Sequence, residues 1–357
     1  MEDNFTLAHA LSKNSIPELK KLSEKYNADE HINPNAGKPR LIQDLIPVIP
    51  TADREKIIDN TFNTPKTRYN AHLGVYSGSL ISEDEINANC LDFNRSHDFS
   101  NSSSSYQTNQ RENMELIEYD EEELLFYYTY TEKKPSYDYD SLESRPVIFS
   151  RKIRVIIKPN EGHISAFSGD RDLFNNVLTA LTHVFGRAIT PLNINKTGIS
   201  NVVAGNFSFH TVKVIDFIYH GLDKLGVLGE IKDIELETSL KSKNPQKVKV
   251  QGNDLLDDKS ICDYLFMQAR DLVGVKLALK FILSEEIEHL VNIEIGIRDN
   301  RTKIGIKRDH HTLELVKFFY ELLENITQKY IQEPGLINEE NTVKILDQIR
   351  QRALSGS

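Results

Sequence analysis

Val275, Leu277, Leu279, Phe281 and Leu283 alternate with positions that include Lys276 and Lys280, and no other run constrains the chain as tightly. Successive side chains of a strand point to opposite faces, so this run demands a sheet with one apolar face and one wetter face. The apolar face needs helices laid over it. Suitable helices are present: Leu315, Val316, Phe319, Leu322, Leu323 and Ile326 keep a helical period, as do Leu173, Val177, Leu178, Leu181, Val184 and Phe185 before a stop at Gly186. The fold class expected is α+β, with an antiparallel or mixed sheet.

A layout recurs along the chain. Ile153, Val155 and Ile157 alternate, Pro159-Asn160-Glu161-Gly162 turns, a strand passes through Ile164 and Phe167, and the helix ending at Gly186 follows. Later Ile293, Ile295 and Ile297 alternate, Asp299-Asn300-Arg301 turns, Ile304 and Ile306 continue, and the helix through Ile326 follows. Two hairpin-helix units are expected, in two related halves at 115–190 and 230–330. Other elements expected are a strand from Leu124 to Tyr130, a loop from Pro135 to Ser144, and a helix from His210 to Leu225. A strand Lys247 to Gln251, a helix Asp258 to Asp271 and a last helix Glu339 to Leu354 complete the set.

The N-terminal 1–75 reads as a separate helical module. Leu7, Leu11, Ile16, Leu19 and Leu22 recur at helical intervals, with Ser15 as a cap before Pro17, and a second helix runs from Lys38 to Val48. A third is expected from Thr51 to Asn60. Residues 82–113, rich in Ser, Asn, Asp and Gln, are expected to be a flexible tether, because so polar a stretch buries too little surface to offset the entropy of ordering. The body would then span 115–357.

Net charge is −10 across 357 residues, which disfavours nucleic acid as a partner. Its placement weakens that objection. Residues 81–145 hold 16 acidic and 5 basic side chains, whereas 146–357 hold 27 acidic and 28 basic. Cys90 and Cys262 are too few and too distant for a disulfide framework, so reduced thiols are expected. No apolar run approaches the roughly 18 residues of a membrane span, and an acidic N-terminus lacks a secretory layout. A cytoplasmic or nuclear protein without a membrane partner is expected.

Catalytic and cofactor signatures are missing: no phosphate loop ending in Lys-Ser/Thr, no dinucleotide fingerprint, no Gly-x-Ser-x-Gly elbow. No catalytic residue, metal ligand or cofactor is assigned. Asp233, Glu235 and Glu237 with Lys241 and Lys243 could form a divergent metal-dependent nuclease site, but they read better as the polar side of a strand and turn. His310 and His311 diverge by about 100° if helical and would not readily share an ion.

Two features point to binding. A basic ribbon crosses the second hairpin at Arg298, Arg301, Lys303, Lys307 and Arg308, and Arg151, Lys152, Arg154 and Lys158 occupy the matching place in the first. Such hairpins would track a phosphate backbone, or serve only to block edge pairing. The second feature is the segment Ser15 to Tyr26 followed by Gly37-Lys38-Pro39-Arg40-Leu41-Ile42-Gln43-Asp44-Leu45-Ile46. It resembles the SAP and helix-extension-helix family, and the resemblance implies phosphate contacts by Lys38 and Arg40 at a helix N-terminus. The order of helical module, tether and sheet body, with the stretch from Tyr127 through Leu178, also looks like the inner-kinetochore CENP-N family. The function expected is a non-enzymatic subunit associated with DNA or a DNA-bound complex, in genome defence or chromosome maintenance. A protein adaptor without nucleic-acid contact and a divergent nuclease are the alternatives.

Overall fold

The computed structural model describes residues 7–8, 10–12, 14–26, 37–54, 56–57, 68–98, 110–138, 143–194, 205–238, 247–284, 287–298, 300–333 and 336–355. The chain divides into two compact units, each assembled from separated stretches. The first comprises 1–66, 78–160 and 172–188; the second comprises 67–77, 161–171 and 189–357.

In the first unit, Pro17 opens α1 (Ile16–Lys25), and Glu18 accepts a hydrogen bond from the Ser15 amide at 2.6 Å. That carboxylate satisfies a donor the helix cannot use internally. α2 (Lys38–Val48) starts after Gly37. Leu7, Leu11, Leu19, Leu41, Leu45 and Ile49 bury together into a small core of their own. Arg54 clamps this core by donating to the carbonyls of Ile46 and Ile49, each at 2.9 Å. These two helices form where their pattern predicts them, and 1–66 belongs to the same compact unit as 78–160 and 172–188. The third helix is described only at 51–54 and 56–57.

The expected tether is the clearest correction. α3 (Glu83–Ser96) occupies half of it, capped where the Ser82 hydroxyl accepts from the Glu85 amide, and it buries Ile86, Cys90 and Phe93. Three apolar residues at helical spacing anchor a helix that composition alone hides. Residues 99–109 lie outside those described. Beyond them β2 (Gln110–Tyr119), β3 (Leu124–Asp138) and β4 (Glu143–Lys158) form an antiparallel meander. β3 and β4 pair as far as Asp138 and Glu143, so most of the expected loop from Pro135 to Ser144 is strand. α4 (Arg171–Phe185) ends at Gly186, whose φ of 63° suits glycine. Phe126 of β3 meets Phe185 of α4 edge-on with ring centres 6.0 Å apart. α3 also shields the edge of β2. Asn94 donates to the Met114 carbonyl at 3.0 Å and accepts from its amide at 2.7 Å, standing in for a neighbouring strand.

The second unit carries a sheet in the order β5-β1-β11-β10-β9-β7-β8, with the two-residue β6 (Thr190–Pro191) beside β1. Its strands are β1 (Arg68–Val75), β5 (His163–Ala166), β7 (Gly226–Glu237), β8 (Lys247–Gln251), β9 (Asp271–Ser284), β10 (Ile287–Arg298) and β11 (Arg301–Lys307). Every pairing within this unit is antiparallel. β1 corrects the boundary of the helical module: residues 68–75 lie between β5 and β11, partners that arrive far later in sequence. The two hairpin-helix runs occur in the expected order but differ in build. β5 is a wholly buried four-residue strand, while β11 has seven residues. The expected halves 115–190 and 230–330 do not coincide with the compact units, because strand pairing rather than contiguity decides which segments cohere.

One face of the second unit's sheet is covered by α5 (Phe209–Asp216), α6 (Lys259–Phe266), α7 (Leu313–Gln332) and α8 (Glu339–Leu354). Val275, Leu277, Leu279, Phe281, Ile293, Ile295, Ile304 and Ile306 bury beneath Val212, Ile261, Phe319, Leu323, Leu346 and their neighbours. The helix expected from His210 to Leu225 is α only to Asp216. It continues as a π turn over Phe217–Gly221 and a 3-10 turn over Leu222–Lys224. The helix expected to reach Asp271 stops at Phe266, and β9 begins at Asp271. No described helix is long and apolar enough to cross a membrane.

Asp216 locks the helical layer. Fully buried, it accepts hydrogen bonds from the Tyr330 hydroxyl on α7, from Thr342 Oγ1 on α8 at 2.5 Å, and from the Asn338 amide that precedes α8 at 3.2 Å. A buried carboxylate is tolerable only when its lone pairs are satisfied in this way. Asp216→Ala would strand three donors. The expected loss is about 3 kcal/mol in urea unfolding, with protease cleavage appearing first around α8, whereas Asp216→Asn should lose less.

Candidate functional site

The opposite face of the second unit's sheet is polar. Strand alternation sends Asp233, Glu235, Glu237, Gly274, Lys276, Glu294, Gly296, Arg298, Lys303 and Gly305 to it, together with Asn70 and His72 of β1. Two rows run across the strands. Glu235, Gly274, Gly296, Lys303 and His72 stand in register, and beside them Asp233, Lys276, Glu294, Gly305 and Asn70. With strands roughly 4.8 Å apart, the first row places Glu235 and Lys303 about 14 Å from each other across a floor of two glycines.

The Gly296 part of that row lines a trough of about 360 Å³, together with His72, Gly169, Arg171, Glu235, Lys247, Val273, Glu294, Arg298, Arg301 and Lys303. A second hollow of about 270 Å³ opens on the same face, lined in part by Asn70, Asp233, Lys276, Asn292 and Glu294, so the two share Glu294. In the trough five cations face two carboxylates.

Ion pairs fix most of these charges. Glu237 holds Arg298 through two bonds, Nε at 3.0 Å and Nη2 at 2.7 Å, a bidentate geometry that fixes the guanidinium plane. Glu235 pairs with Lys247 at 2.9 Å, and Glu294 with Lys303 at 3.4 Å. Asp233 pairs with Lys276 at 2.5 Å and Lys249 at 3.7 Å. Burial alone would raise the Asp233 carboxyl, but the Lys276 ammonium outweighs it and holds the group below the usual carboxylate range. Arg301 differs: its Nε is buried with no hydrogen-bond partner among the described residues.

His72 is buried at 6% exposure and donates from Nδ1 to the Ser168 carbonyl at 2.9 Å. Burial, then repulsion by Lys303 and Arg301, pushes its pKa down to about 4. The imidazole is therefore neutral at pH 7, with Nε2 carrying the lone pair.

The expected site residues are distributed as follows. Arg298, Arg301 and Lys303 meet at the trough. Lys307 lines the second hollow and pairs with Asp309 at 2.6 Å, and Arg308 follows it in the loop before α7. Three of the five ribbon cations are thus neutralised by carboxylates, which a count of basic residues overlooks. Arg154 and Lys158 lie on β4 in the first unit, Arg154 opposite Tyr127, whose ring also carries the Lys152 ammonium at 3.9 Å. Lys38 and Arg40 lie in the first turn of α2; Arg40 is 68% exposed and pairs with Asp44 at 3.2 Å.

Asp233, Glu235 and Glu237 do share one face of β7, but each is engaged by its own cation. Among the described residues no three His, Cys, Asp or Glu could hold a metal ion. Lys241 and Lys243 lie outside the described residues. His311 Nε2 donates to the Leu290 carbonyl at 3.2 Å, while His310 is exposed beside it. Both cysteines are buried free thiols, and burial raises each pKa to about 11, so neither is a ready nucleophile.

Sequence reasoning missed His72, Arg171, Lys247, Glu294 and the glycine floor. A signal existed for the floor. Gly274, Gly296 and Gly305 each interrupt an alternating apolar strand at an outward position, where glycine weakens a strand and marks a close approach. No protein-family model matches the chain, and no curated protein matches its sequence.

The His72 environment sets a pH dependence. In the unfolded chain the imidazole protonates near its ordinary 6.5, in the folded chain only near 4, so the unfolded state takes up the proton first. Stability should fall as pH drops from about 6.5 towards 4, by on the order of 2 kcal/mol from this group. Urea unfolding of wild type and His72→Gln at pH 7 and pH 4.5 should show a shallower pH dependence in the variant.

Proposed function

We propose that this chain is a non-enzymatic subunit that holds phosphate groups of a nucleic acid on the polar sheet face of its second unit. The observation that carries this reading is the trough, where five cations outnumber two carboxylates around Gly296. Phosphate oxygens favour such a place, because arginines presented on rigid strands are oriented before the ligand arrives. The paired state of the carboxylates supports binding over catalysis. Lys38 and Arg40, at the first turn of α2, offer a second contact of the kind the SAP-like pattern implies. A cytoplasmic or nuclear setting in genome defence or chromosome maintenance goes with this reading.

The test is binding of labelled single-stranded and duplex DNA from about 50 to 300 mM salt. With three phosphate contacts the affinity should fall about a hundredfold over that range, as counterions are no longer released at a profit. Arg301→Ala/Lys303→Ala should weaken binding at least about tenfold and flatten the salt dependence. Lys38→Ala/Arg40→Ala reports whether the helical module shares the load. Absence of binding at the lowest salt would overturn the reading and leave the protein adaptor.

A further inference from the structure

A phosphate backbone passing over an open sheet requires only an even spread of exposed cations. The trough has depth, and at Gly296 its lining carries no side chain. Gly296 does not adopt a positive φ, so backbone conformation does not require glycine there. A Cβ on Gly296 would meet nothing nearer than Lys303 Cβ at 3.7 Å, an ordinary contact, so packing does not require it either. Glycine inside a strand weakens it. What it supplies here is room directly above the backbone of β10.

The room suits a small ligand. A volume of about 360 Å³ falls at the lower end of the range for small-molecule sites, roughly 300–1000 Å³. A duplex would rest on the rim and leave the floor empty. Cations approach from separate elements: Arg171 at the start of α4, Lys247 on β8, and Arg301 and Lys303 on β11. Arg301 brings the buried, unpartnered Nε. The walls also carry Glu235 and Glu294, which a bare anion would not need. Carboxylates accept hydrogen bonds from hydroxyl groups, so the lining fits a ligand anionic at one end and hydroxylated beside it.

We infer that the trough binds a terminal phosphate monoester together with the sugar that bears it, the chemistry shared by a free nucleotide and a 5′-phosphorylated strand end. The inference deepens the phosphate-binding reading above and rests on it. The monoester dianion sits against Arg301, Lys303 and Arg171, and the sugar hydroxyls donate to Glu294 and Glu235. An internal phosphodiester has one negative charge spread over two non-bridging oxygens, against two charges over three in the monoester, so it gains less from the same cations.

The experiment compares four probes by calorimetry: a short oligonucleotide with a 5′-phosphate, the same oligonucleotide with a 5′-hydroxyl, adenosine 5′-monophosphate, and inorganic phosphate. The phosphorylated oligonucleotide should bind at least about tenfold tighter than its hydroxyl counterpart. Adenosine 5′-monophosphate should bind and compete, and more tightly than inorganic phosphate. Gly296→Val, which fills the floor, and Arg301→Gln, which keeps the strand, should each erase the preference; thermal melts confirm that both variants fold. Binding of the free nucleotide alone would support the monoester site while overturning the nucleic-acid reading. Equal binding of both oligonucleotides, without nucleotide binding, would overturn the monoester site and leave the nucleic-acid reading standing. If no probe binds, both fall.

Discussion

The second unit depends on β1 lying between β5 and β11. Its alternation serves both sides of the sheet at once. Tyr69, Ala71 and Leu73 bury into the apolar core, with the Tyr69 ring 4.8 Å from Phe167 and 4.9 Å from Tyr320. On the other side Asn70 and His72 complete the two polar rows, and His72 fastens the loop after β5 through the Ser168 carbonyl. Removing this strand would break the hydrogen-bonded ladder in mid-sheet and leave two edges unpaired. The core and the trough are therefore two faces of one constraint.

Charge on the polar face is organised by the same alternation. Carboxylates of β7 and β10 stand across from lysines and arginines of β8, β9, β10 and β11, and cross-strand opposite charges stabilise each other modestly while orienting long side chains. The result is a set of restrained charges with Arg301 set apart by its unpartnered Nε among the described residues. A protein of net charge −10 can in this way present a locally cationic hollow. The excess acidity of 81–145 belongs to a segment assigned to the first unit, α3 and the β2–β4 meander, so the chain's total charge says little about the trough.

The sequence reading located β9, the β10–β11 hairpin, α4, α7 and α8 closely, because each has a strong period and a clear stop. It failed where polar residues dilute the period. α3 has only Ile86, Cys90 and Phe93 to mark its buried side among Glu, Asp and Asn, and the composition of 82–113 resembles that of a linker. β1 was hidden because Arg68-Tyr69-Asn70-Ala71-His72-Leu73-Gly74-Val75 pairs with nothing nearby in sequence. Of the site, Arg298, Arg301 and Lys303 were legible as a basic hairpin. The neutralisation of Arg298 by Glu237 and of Lys303 by Glu294 was not, since those carboxylates reach them only across paired strands.

The residues alone determined that this chain forms an α+β fold, that β9 has one dry face and one wet face, and that a small helical core precedes the sheet. Those outcomes follow from local period, caps and turns, which act over a few residues. Only the tertiary structure decided that 68–75 belongs with the sheet, and that Gly296 pairs between Gly274 and Lys303 in a trough that Arg301 and His72 also line. The reason is register: contacts between residues some 200 positions apart depend on which strands pair and at what offset, and a one-residue slip would send every one of these side chains to the opposite face.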